Sequence, residues 1–299
     1  MNKINNSCAD SITSSFSCLT ANSLIYTLEG YKKIKEVKDG NLVLTHNNQY
    51  KKVLTSKCIG RKELYEVKAV CTDKLECTEN HKFLVTKLVN GKILTPSWVE
   101  TKSLTNEHYL MMPINTKENI PKLQILLSDG NLWYRVGKII YLLASKLKNM
   151  NNTYENELMN ELIPMFIDDK KHVFIPNFVL DLPVHLLQRF LDGFIEARKS
   201  RTTIDSFIYA GKRNLIYMLG QCIAKAYRKP FAIKENFIRN ECKIEFDTPM
   251  PFNDIIYTPK YLLYRVISLK RLVLEDKVYD IEIEEDHSFA VNNCIAHSH

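Results

Sequence analysis

Two residues suited to acyl and proton transfer lie near opposite ends of the chain. Cys18 begins the stretch CLTANSLIYTLEG, and a cysteine thiolate is a nucleophile that attacks carbonyl carbons. His297 lies in the final stretch FAVNNCIAHSH, and an imidazole exchanges protons near neutral pH. If the fold brings these ends together, a nucleophile and a proton-transfer group would share one site.

A third short pattern stands between them. Residues 77–86 read CTENHKFLVT, in which Thr78 and His81 are three positions apart and an apolar strand pattern follows. By itself the pattern is weak, because such a pair usually marks a turn with a satisfied imidazole. A lone cysteine is likewise more often a small buried hydrophobe than a nucleophile. The chemistry therefore depends on the three patterns occurring together.

Composition describes an ordinary globular chain. The 299 residues are 45% hydrophobic and 25% charged, which fits two or three compact units. The sequence has no long apolar run that would predict a membrane span. Residues 1–17 are polar and serine-rich and lack the apolar core of a secretory signal. The eight cysteines form no CxxC pair, so we expect no zinc ribbon, no metal ligands and a reducing, intracellular location.

The two ends of the chain read as β structure. Gly-containing turn signals separate short apolar stretches in the N-terminal part, which is typical of an all-β unit closing near Pro113. At the other end, Val278 to Glu284 alternates apolar and acidic residues like a half-buried strand. The expected N-terminal strands are Ser23–Thr27, Leu42–Thr45, Lys52–Ser56, Leu64–Val70 and Lys82–Lys87.

The middle of the chain, about 116–260, has the pattern of an α+β unit. Apolar residues at helical spacing predict helices over Trp133–Leu147, Val184–Ala197 and Lys212–Tyr227, and PFAIKENFIRNECKIEF then reads as paired strands. Of the net charge of +7, residues 116–245 carry +6, from 20 Lys/Arg and 14 Asp/Glu. A contact with double-stranded DNA is therefore one interpretation, and a solvated basic face is the other.

Taken in order, the motifs at the two ends resemble the splicing domain of the Hedgehog/intein family. The matching residues are Cys18, Thr78, His81, Asp280, His287, Phe289, Asn292 and His297. The resemblance covers about 18–113 and 261–297. It implies an all-β splicing domain in two parts, 18–115 and 261–297, interrupted by the unit at 116–260. Residues 1–17 would then be an N-terminal extein or leader, and 298–299 the C-terminal junction.

This resemblance implies a mechanism at the first junction. The thiol of Cys18 attacks the carbonyl of Ser17 and converts the Ser17–Cys18 amide into a thioester. His81 supplies a proton to the departing nitrogen, and Thr78 with backbone N–H groups holds the carbonyl oxygen. Asp280 assists or positions the thiol. No cofactor is implied, and the partners are the exteins of a host protein, joined in cis, whose compartment the chain follows.

At the second junction the sequence departs from the family. There the acyl group passes to a downstream Cys, Ser or Thr and a terminal Asn cyclises, helped by histidines that correspond to His287 and His297. Here Ser298 stands where the family has Asn, so either serine replaces it or Ser298 is itself the downstream nucleophile. Serine cannot form a succinimide, and we therefore expect a trapped or cleavage-only chain.

An alternative junction at Asn293–Cys294 fits the register less well. The family pattern continues through this pair to His297, which places Asn292 and Asn293 in a hairpin turn and makes Cys294 a core residue.

The middle unit resembles a LAGLIDADG homing endonuclease. LLQRFLDGFIEARKS, residues 186–200, carries the clearer motif and YLLASKLKN, residues 141–149, a weaker first copy. That family cuts DNA with one acidic residue per motif and shared divalent ions such as Mg²⁺. The corresponding positions here are Arg198 and Asn149, while Glu196 and Asp192 occupy other places in the motif. We expect the fold without cleavage, so Mg²⁺ would bind only if the nuclease were active.

DNA binding by this unit would use basic residues that cluster in it. These are Lys170, Lys171, Lys199, Arg201, Lys212 and Arg213. Two other classes of function remain open: an active endonuclease on a passive scaffold, or a Hedgehog-like autoprocessor that cleaves without ligating. We expect a monomer with no membrane contact in each case.

Overall fold

The computed structural model of the protein describes residues 17–115, 129–145, 157–199, 207–236, 241–246 and 254–298. The N-terminal strands are β1 Leu19–Thr20, β2 Leu24–Thr27, β3 Gly30–Lys33, β4 Leu42–Leu44, β5 Tyr50–Ala69, β6 Leu75–Cys77, β7 Lys82–Val89, β8 Lys92–Ile93, β9 Ser97–Glu100 and β10 His108–Pro113. Short 3₁₀ helices at Ile34–Glu36 and Thr101–Ser103 interrupt them.

The middle of the chain supplies helices and a small sheet. It contains α1 Gly130–Ala144, α2 Glu157–Leu162, a 3₁₀ helix Ile163–Phe166, α3 Asn177–Leu180, α4 Val184–Lys199, β11 Phe207–Gly211, α5 Arg213–Tyr227, β12 Ala232–Asn236 and β13 Glu241–Phe246. The C-terminal strands follow as β14 Ile255–Tyr257, β15 Tyr261–Ile283, β16 Ser288–Val291 and β17 Cys294–His297.

Two long antiparallel strands organise the β unit. β5 and β15 pair over most of their lengths, with irregularities that bend the ladder, for example where Val278 lies opposite Gly60 and Tyr279 opposite Cys58. Within the described part of the chain, one side of β5 is occupied by β6 and then β1, and the other side by β4 and then β2. The start of β15 pairs with β10 and with β14. The predicted β architecture at both ends of the chain is confirmed.

One sequence expectation about these strands is wrong. The sequence predicts Lys52–Ser56 and Leu64–Val70 as two separate short strands. They form the single strand β5, which continues because β15 supplies hydrogen-bond partners along both pieces. Gly60 takes a positive φ of 112° there, which glycine adopts without steric cost.

The unit between the two β parts is α+β, as predicted, and its helix boundaries shift slightly. α1 begins at Gly130 rather than Trp133, because the Asp129 carboxylate caps it by accepting hydrogen bonds from the backbone of Asn131 and Leu132. β13 pairs with both β11 and β12 in a three-stranded antiparallel sheet. The strands read from the sequence as paired, β12 and β13, are confirmed as neighbours.

Helices α1 and α4 cross in very close contact at two glycines. A Cβ on Gly137 would lie 1.9 Å from the carbonyl oxygen of Phe190, and one on Gly193 would lie 1.9 Å from that of Tyr134. Because any side chain would overlap backbone at either position, both glycines are required for this packing. The helices thereby bring the motif in α4 against α1.

The α+β unit between the two β parts, called the inserted unit below, packs directly on the β unit that the two ends of the chain form. Asp73, in the turn between β5 and β6, has a fully buried side chain that accepts hydrogen bonds from Arg213 at 3.2 Å and from the hydroxyl of Tyr217 at 2.7 Å. Asn177 of α3 donates to the backbone carbonyl of Thr27 at 3.0 Å. One hydrophobic core runs through both units. Among the described helices, none is long and apolar enough to cross a membrane.

Candidate functional site

The peptide at the first junction is held by the TxxH turn. The backbone N–H of Cys18 donates to the hydroxyl oxygen of Thr78 at 3.0 Å, and the N–H of Thr78 donates back to the carbonyl of Cys18 at 3.0 Å. Both residues are buried. Next to them, Leu19 of β1 lies opposite Cys77 on one side and Tyr279 of β15 on the other. The strand after the cysteine is thus fixed between both halves of the splicing fold.

The thiol of Cys18 is buried beside a carboxylate. It is fully shielded from solvent and packs with Leu64 and Val278. Burial raises the pKa of the Cys18 thiol to about 12, and the negative charge of Asp280 adds to that rise, while Lys57 and Lys62 oppose it. The thiol is therefore protonated at neutral pH, and an attack by its thiolate would need a group that removes the proton. Asp280 is itself buried, and its charge acts on the thiol.

His81 lies on the other side of the same peptide. Its ring is 1% exposed, and its Nδ1 lies 2.9 Å from the hydroxyl oxygen of Ser17. The carbonyl of His81 accepts hydrogen bonds from both the N–H and the hydroxyl of Thr101, which fixes the backbone at the start of β7. The imidazole packs edge-on against Phe83 at 5.1 Å between ring centroids, and Phe289 lies 6.4 Å away. Residues from both ends of the chain therefore surround it.

The structure gives Thr78 a contact that differs from the expected one. The resemblance suggests that its hydroxyl holds the carbonyl oxygen of the scissile bond. In the structure that hydroxyl oxygen accepts from the amide N–H on the other side of the bond. The hydroxyl of Thr78 therefore anchors the N–H of Cys18 in this arrangement, and its own proton can still be donated elsewhere.

The second junction is carried by a tight hairpin. β16 and β17 pair with Val291 opposite Cys294, and Asn292, at φ 47°, and Asn293 form the two-residue turn between them. The predicted turn is confirmed, as is the core position of Cys294, which is 2% exposed. β17 then pairs with β7 through Ala296 and Phe83. This pairing places His297 near the start of β7, where the TxxH turn ends.

Ser298, His287 and His297 occupy different environments. Ser298 is fully buried, its hydroxyl oxygen accepts from the backbone N–H of Ile283 at 3.3 Å, and its own N–H donates to the carbonyl of His287 at 2.9 Å. His287 is exposed and adopts a positive φ of 44°. His297 is half-buried, with its ring edge-on to Trp98 at 5.1 Å. The backbone of His287, rather than its ring, is the part that contacts Ser298.

Sequence reasoning missed another imidazole at this junction, besides those of His287 and His297. His46 lies in the turn after β4, and its Nδ1 is 2.7 Å from the hydroxyl oxygen of Ser288, the residue opposite His297 in the hairpin. The Trp98 ring lies edge-on to His46 at 5.9 Å, so it contacts both imidazoles. A histidine in a polar turn carries no signal of this placement, because its partners are some fifty and two hundred and forty residues away.

The two acidic residues in the α4 motif, Asp192 and Glu196, are engaged in internal contacts. Asp192 accepts from the hydroxyl of Tyr227 at 2.8 Å, and Glu196 accepts from Lys138 of α1 at 3.3 Å. Arg198 is half-buried, and burial lowers the pKa of its guanidinium. Asn149 lies outside the described residues. Among the described residues, no group of three or more His, Cys, Asp or Glu could hold a metal ion, and a guanidinium at the motif position does not fit one.

The basic residues expected to contact DNA fall into three groups. Lys170 and Lys171 are exposed in the turn after Asp168, and Lys212 is exposed before α5. Arg213 instead pairs with buried Asp73 and donates to the carbonyl of Asn22, so it joins the two units. Arg201 and the side chain of Lys199 lie outside what the structure describes.

Comparison with protein families identifies the class. A sequence model of the intein splicing domain matches residues 24–298, which is most of the chain. The protein belongs to the intein splicing domain family, whose activity is protein self-splicing. The match extends from β2 to the buried Ser298 and includes the terminal hairpin that carries His297.

Solved structures of low identity also match. A DnaB intein from Synechocystis sp. PCC 6803 is 12% identical over 95% of this chain and 99% of its own, with a TM-score of 0.38. The DnaX mini intein from Spirulina platensis is 12% identical over 94% and 99%, with a TM-score of 0.37. The gp41-1 intein is 22% identical over 29% and 81%, with a TM-score of 0.23. The family assignment depends on the sequence model alone. No curated protein matches the chain.

Proposed function

We propose that the protein breaks its own Ser17–Cys18 bond through an N-to-S acyl shift at Cys18. The proposal rests on two contacts made on either side of this bond. Thr78 accepts a hydrogen bond from the amide N–H of Cys18, and His81 contacts the hydroxyl of Ser17. A buried peptide held on both sides, with a thiol next to a carboxylate, has the groups that acyl transfer needs.

The step proceeds with each proton assigned. Asp280 takes the proton from the Cys18 thiol, and the sulfur forms a bond to the carbonyl carbon of Ser17. The bond from that carbon to the nitrogen of Cys18 then breaks, and His81 gives a proton to the leaving nitrogen. Thr78 holds the N–H of this nitrogen throughout. The product is a thioester between Ser17 and the Cys18 side chain, with a new amine on Cys18.

We further propose that this chain does not complete splicing in the usual way. Asn cyclisation needs a carboxamide at position 298, and the serine there has none. The buried, hydrogen-bonded hydroxyl of Ser298 fills the end of the hairpin as a structural group. Cleavage without ligation, as in a Hedgehog-like autoprocessor, is the second candidate because the thioester can still pass to water or an external nucleophile.

Thiol or hydroxylamine release tests the proposal. The protein is incubated with and without dithiothreitol or hydroxylamine, and mass spectrometry follows a peptide ending at Ser17. We expect release that depends on Cys18. Equal release from the Cys18→Ala variant would show that the thioester route is wrong, and a product cut at another bond would show that the site is misassigned.

For the inserted unit we propose a LAGLIDADG-like fold that binds double-stranded DNA without cutting it. Support comes from the glycine-mediated crossing of α1 and α4, and from Arg198 at a position where the nuclease family carries an acid. Exposed Lys170, Lys171 and Lys212 would contact phosphates. A plasmid carrying the uninterrupted host site should bind weakly and remain intact with Mg²⁺. Metal-dependent nicking would instead favour an active endonuclease on a passive scaffold.

A further inference from the structure

The residue before the scissile bond carries a side chain that reaches the imidazole at the junction. The hydroxyl oxygen of Ser17 lies 2.9 Å from Nδ1 of His81, and both residues are buried, at 6% and 1% exposure. A hydrogen bond in so dry a place is strong and fixes the groups that make it. Ser17 is thus more than the donor of an acyl group.

We propose that the Ser17 hydroxyl positions His81 for proton transfer, so that the residue before Cys18 determines how fast the chain cleaves. The inference rests on the acyl shift at Cys18 proposed above. It names a hydroxyl-bearing residue, serine or threonine, as the upstream residue that this site selects.

Covalent geometry places the imidazole close to the reacting atoms. The hydroxyl oxygen of Ser17 is separated from the carbonyl carbon that is attacked by only two atoms, Cβ and Cα. An imidazole bound to that oxygen is therefore held beside the scissile bond, on the peptide whose N–H Thr78 already binds. Without the hydroxyl, the ring keeps its packing on Phe83 and Phe289 but loses this polar anchor to the substrate.

The hydrogen bond also influences which nitrogen of the ring carries the proton. When the imidazole is protonated, Nδ1–H donates to the Ser17 oxygen, which stabilises the charged form that gives its proton to the leaving nitrogen. When the ring gives up its Nε2 proton, it keeps Nδ1–H, which continues to donate to the Ser17 oxygen, so the same hydrogen bond is present before and after the transfer. Alanine at this position supports neither arrangement.

A set of variants at position 17 tests the proposal by hydroxylamine release of the upstream peptide. We expect Ser17→Thr to stay within about threefold of the parent rate, whereas Ser17→Ala and Ser17→Val fall about tenfold, the value of one hydrogen bond to a charged group. Valine is the matched control for threonine, since it has nearly the same shape without the hydroxyl. Equal rates for Thr and Val would overturn the proposal.

A double-mutant cycle separates the hydroxyl's action through His81 from its direct effect on the carbonyl. In the His81→Ala background, Ser17→Ala should cause no further loss of rate; a loss as large as in the parent would contradict the proposal. The ¹⁵N resonances of His81 give a readout independent of cleavage, measured in the uncleavable Cys18→Ala protein. We expect Ser17→Ala to shift the Nδ1 resonance and its titration and Ser17→Thr to preserve them.

Failure of this inference can be told apart from failure of the proposed function. If the parent protein releases no peptide but the His81 resonances still respond to Ser17→Ala, the acyl shift is wrong and the Ser17–His81 contact is real. If the peptide is released and neither the rate nor the resonances respond to Ser17→Ala, the acyl shift stands and the positioning role is wrong.

Discussion

The two ends of the chain that the proposed splicing reaction uses lie on the same β unit but differ in their residues. At the first, Cys18, Thr78 and His81 are buried around one peptide bond, and the charge of buried Asp280 acts on the thiol. At the second, the terminal hairpin is formed, and Ser298 follows it at the position where the resemblance places asparagine. Under the proposal, the fold of this end is kept although the carboxamide that its reaction needs is lost.

The sharpest test of this contrast removes the nucleophile from the complete junction. Cys18→Ala should reduce thiol-induced release of the upstream peptide by about a thousandfold or more, because it removes the sulfur that would form the thioester. Release is measured by mass spectrometry over several days. Cys58→Ala, which changes an exposed cysteine, is the control and should keep the parent rate. Loss of release in both variants would contradict the assignment.

The converse test restores the missing group at the incomplete junction. In a chain extended beyond His299 by a reporter peptide, Ser298→Asn should raise cleavage after position 298 by about a thousandfold over background, the scale of a well-placed intramolecular reaction. Ser298→Ala is the control and should stay at background. Asparagine must fit a fully buried position, so circular dichroism of each variant checks the fold. A folded Ser298→Asn variant without cleavage would mean that the terminal hairpin is misaligned.

The third test concerns Asp280, which acts at the first junction only. If its carboxylate takes the thiol proton, Asp280→Asn should slow release about a hundredfold at pH 7, the low end of general base catalysis. Cys18 would then depend on solvent to ionise, so the slope of log rate against pH should increase by about one between pH 6.5 and 8.5. Removing the charge also lowers the pKa of Cys18 below about 12, because Asp280 is one of the causes that raise it.

Release by hydroxylamine, at constant free base and across that pH range, checks this prediction. A slope that does not change would show that Asp280 leaves the thiol proton alone. In the extended chain with Ser298→Asn, cleavage after position 298 should keep its own pH profile when Asp280→Asn is added, since that reaction needs no thiolate.

The smallest expected effect is at Thr78. Thr78→Val removes the acceptor for the Cys18 N–H and should slow peptide release about tenfold, the upper range for one buried hydrogen bond. Thr78→Ser keeps the hydroxyl and should recover most of the rate. Combined with Ser298→Asn in the extended chain, neither Thr78 variant should change cleavage after position 298; an equal loss there would indicate damage to the whole fold.

Local patterns predicted turns better than long-range contacts. The Asn292–Asn293 turn was predicted correctly because turn chemistry is local. Cys18, His81 and His297 were proposed as site residues because short motifs keep their order along the chain. The single strand β5 was predicted as two strands because local pattern does not report that β15 supplies hydrogen-bond partners past Gly60. The start of α1 was placed three residues late because its cap, Asp129, precedes the apolar pattern.

By itself the sequence determined which residue types stand at the two ends, including Ser298 where the resemblance places asparagine, and the order of β, α+β and β parts along the chain. Only the tertiary structure decided that Thr78 binds the N–H of Cys18, that Ser17 reaches His81, and that Asp73 joins the inserted unit to the β unit. Those contacts join residues 60 to 144 positions apart, and their geometry depends on how buried strands and helices pack, which local propensity does not encode.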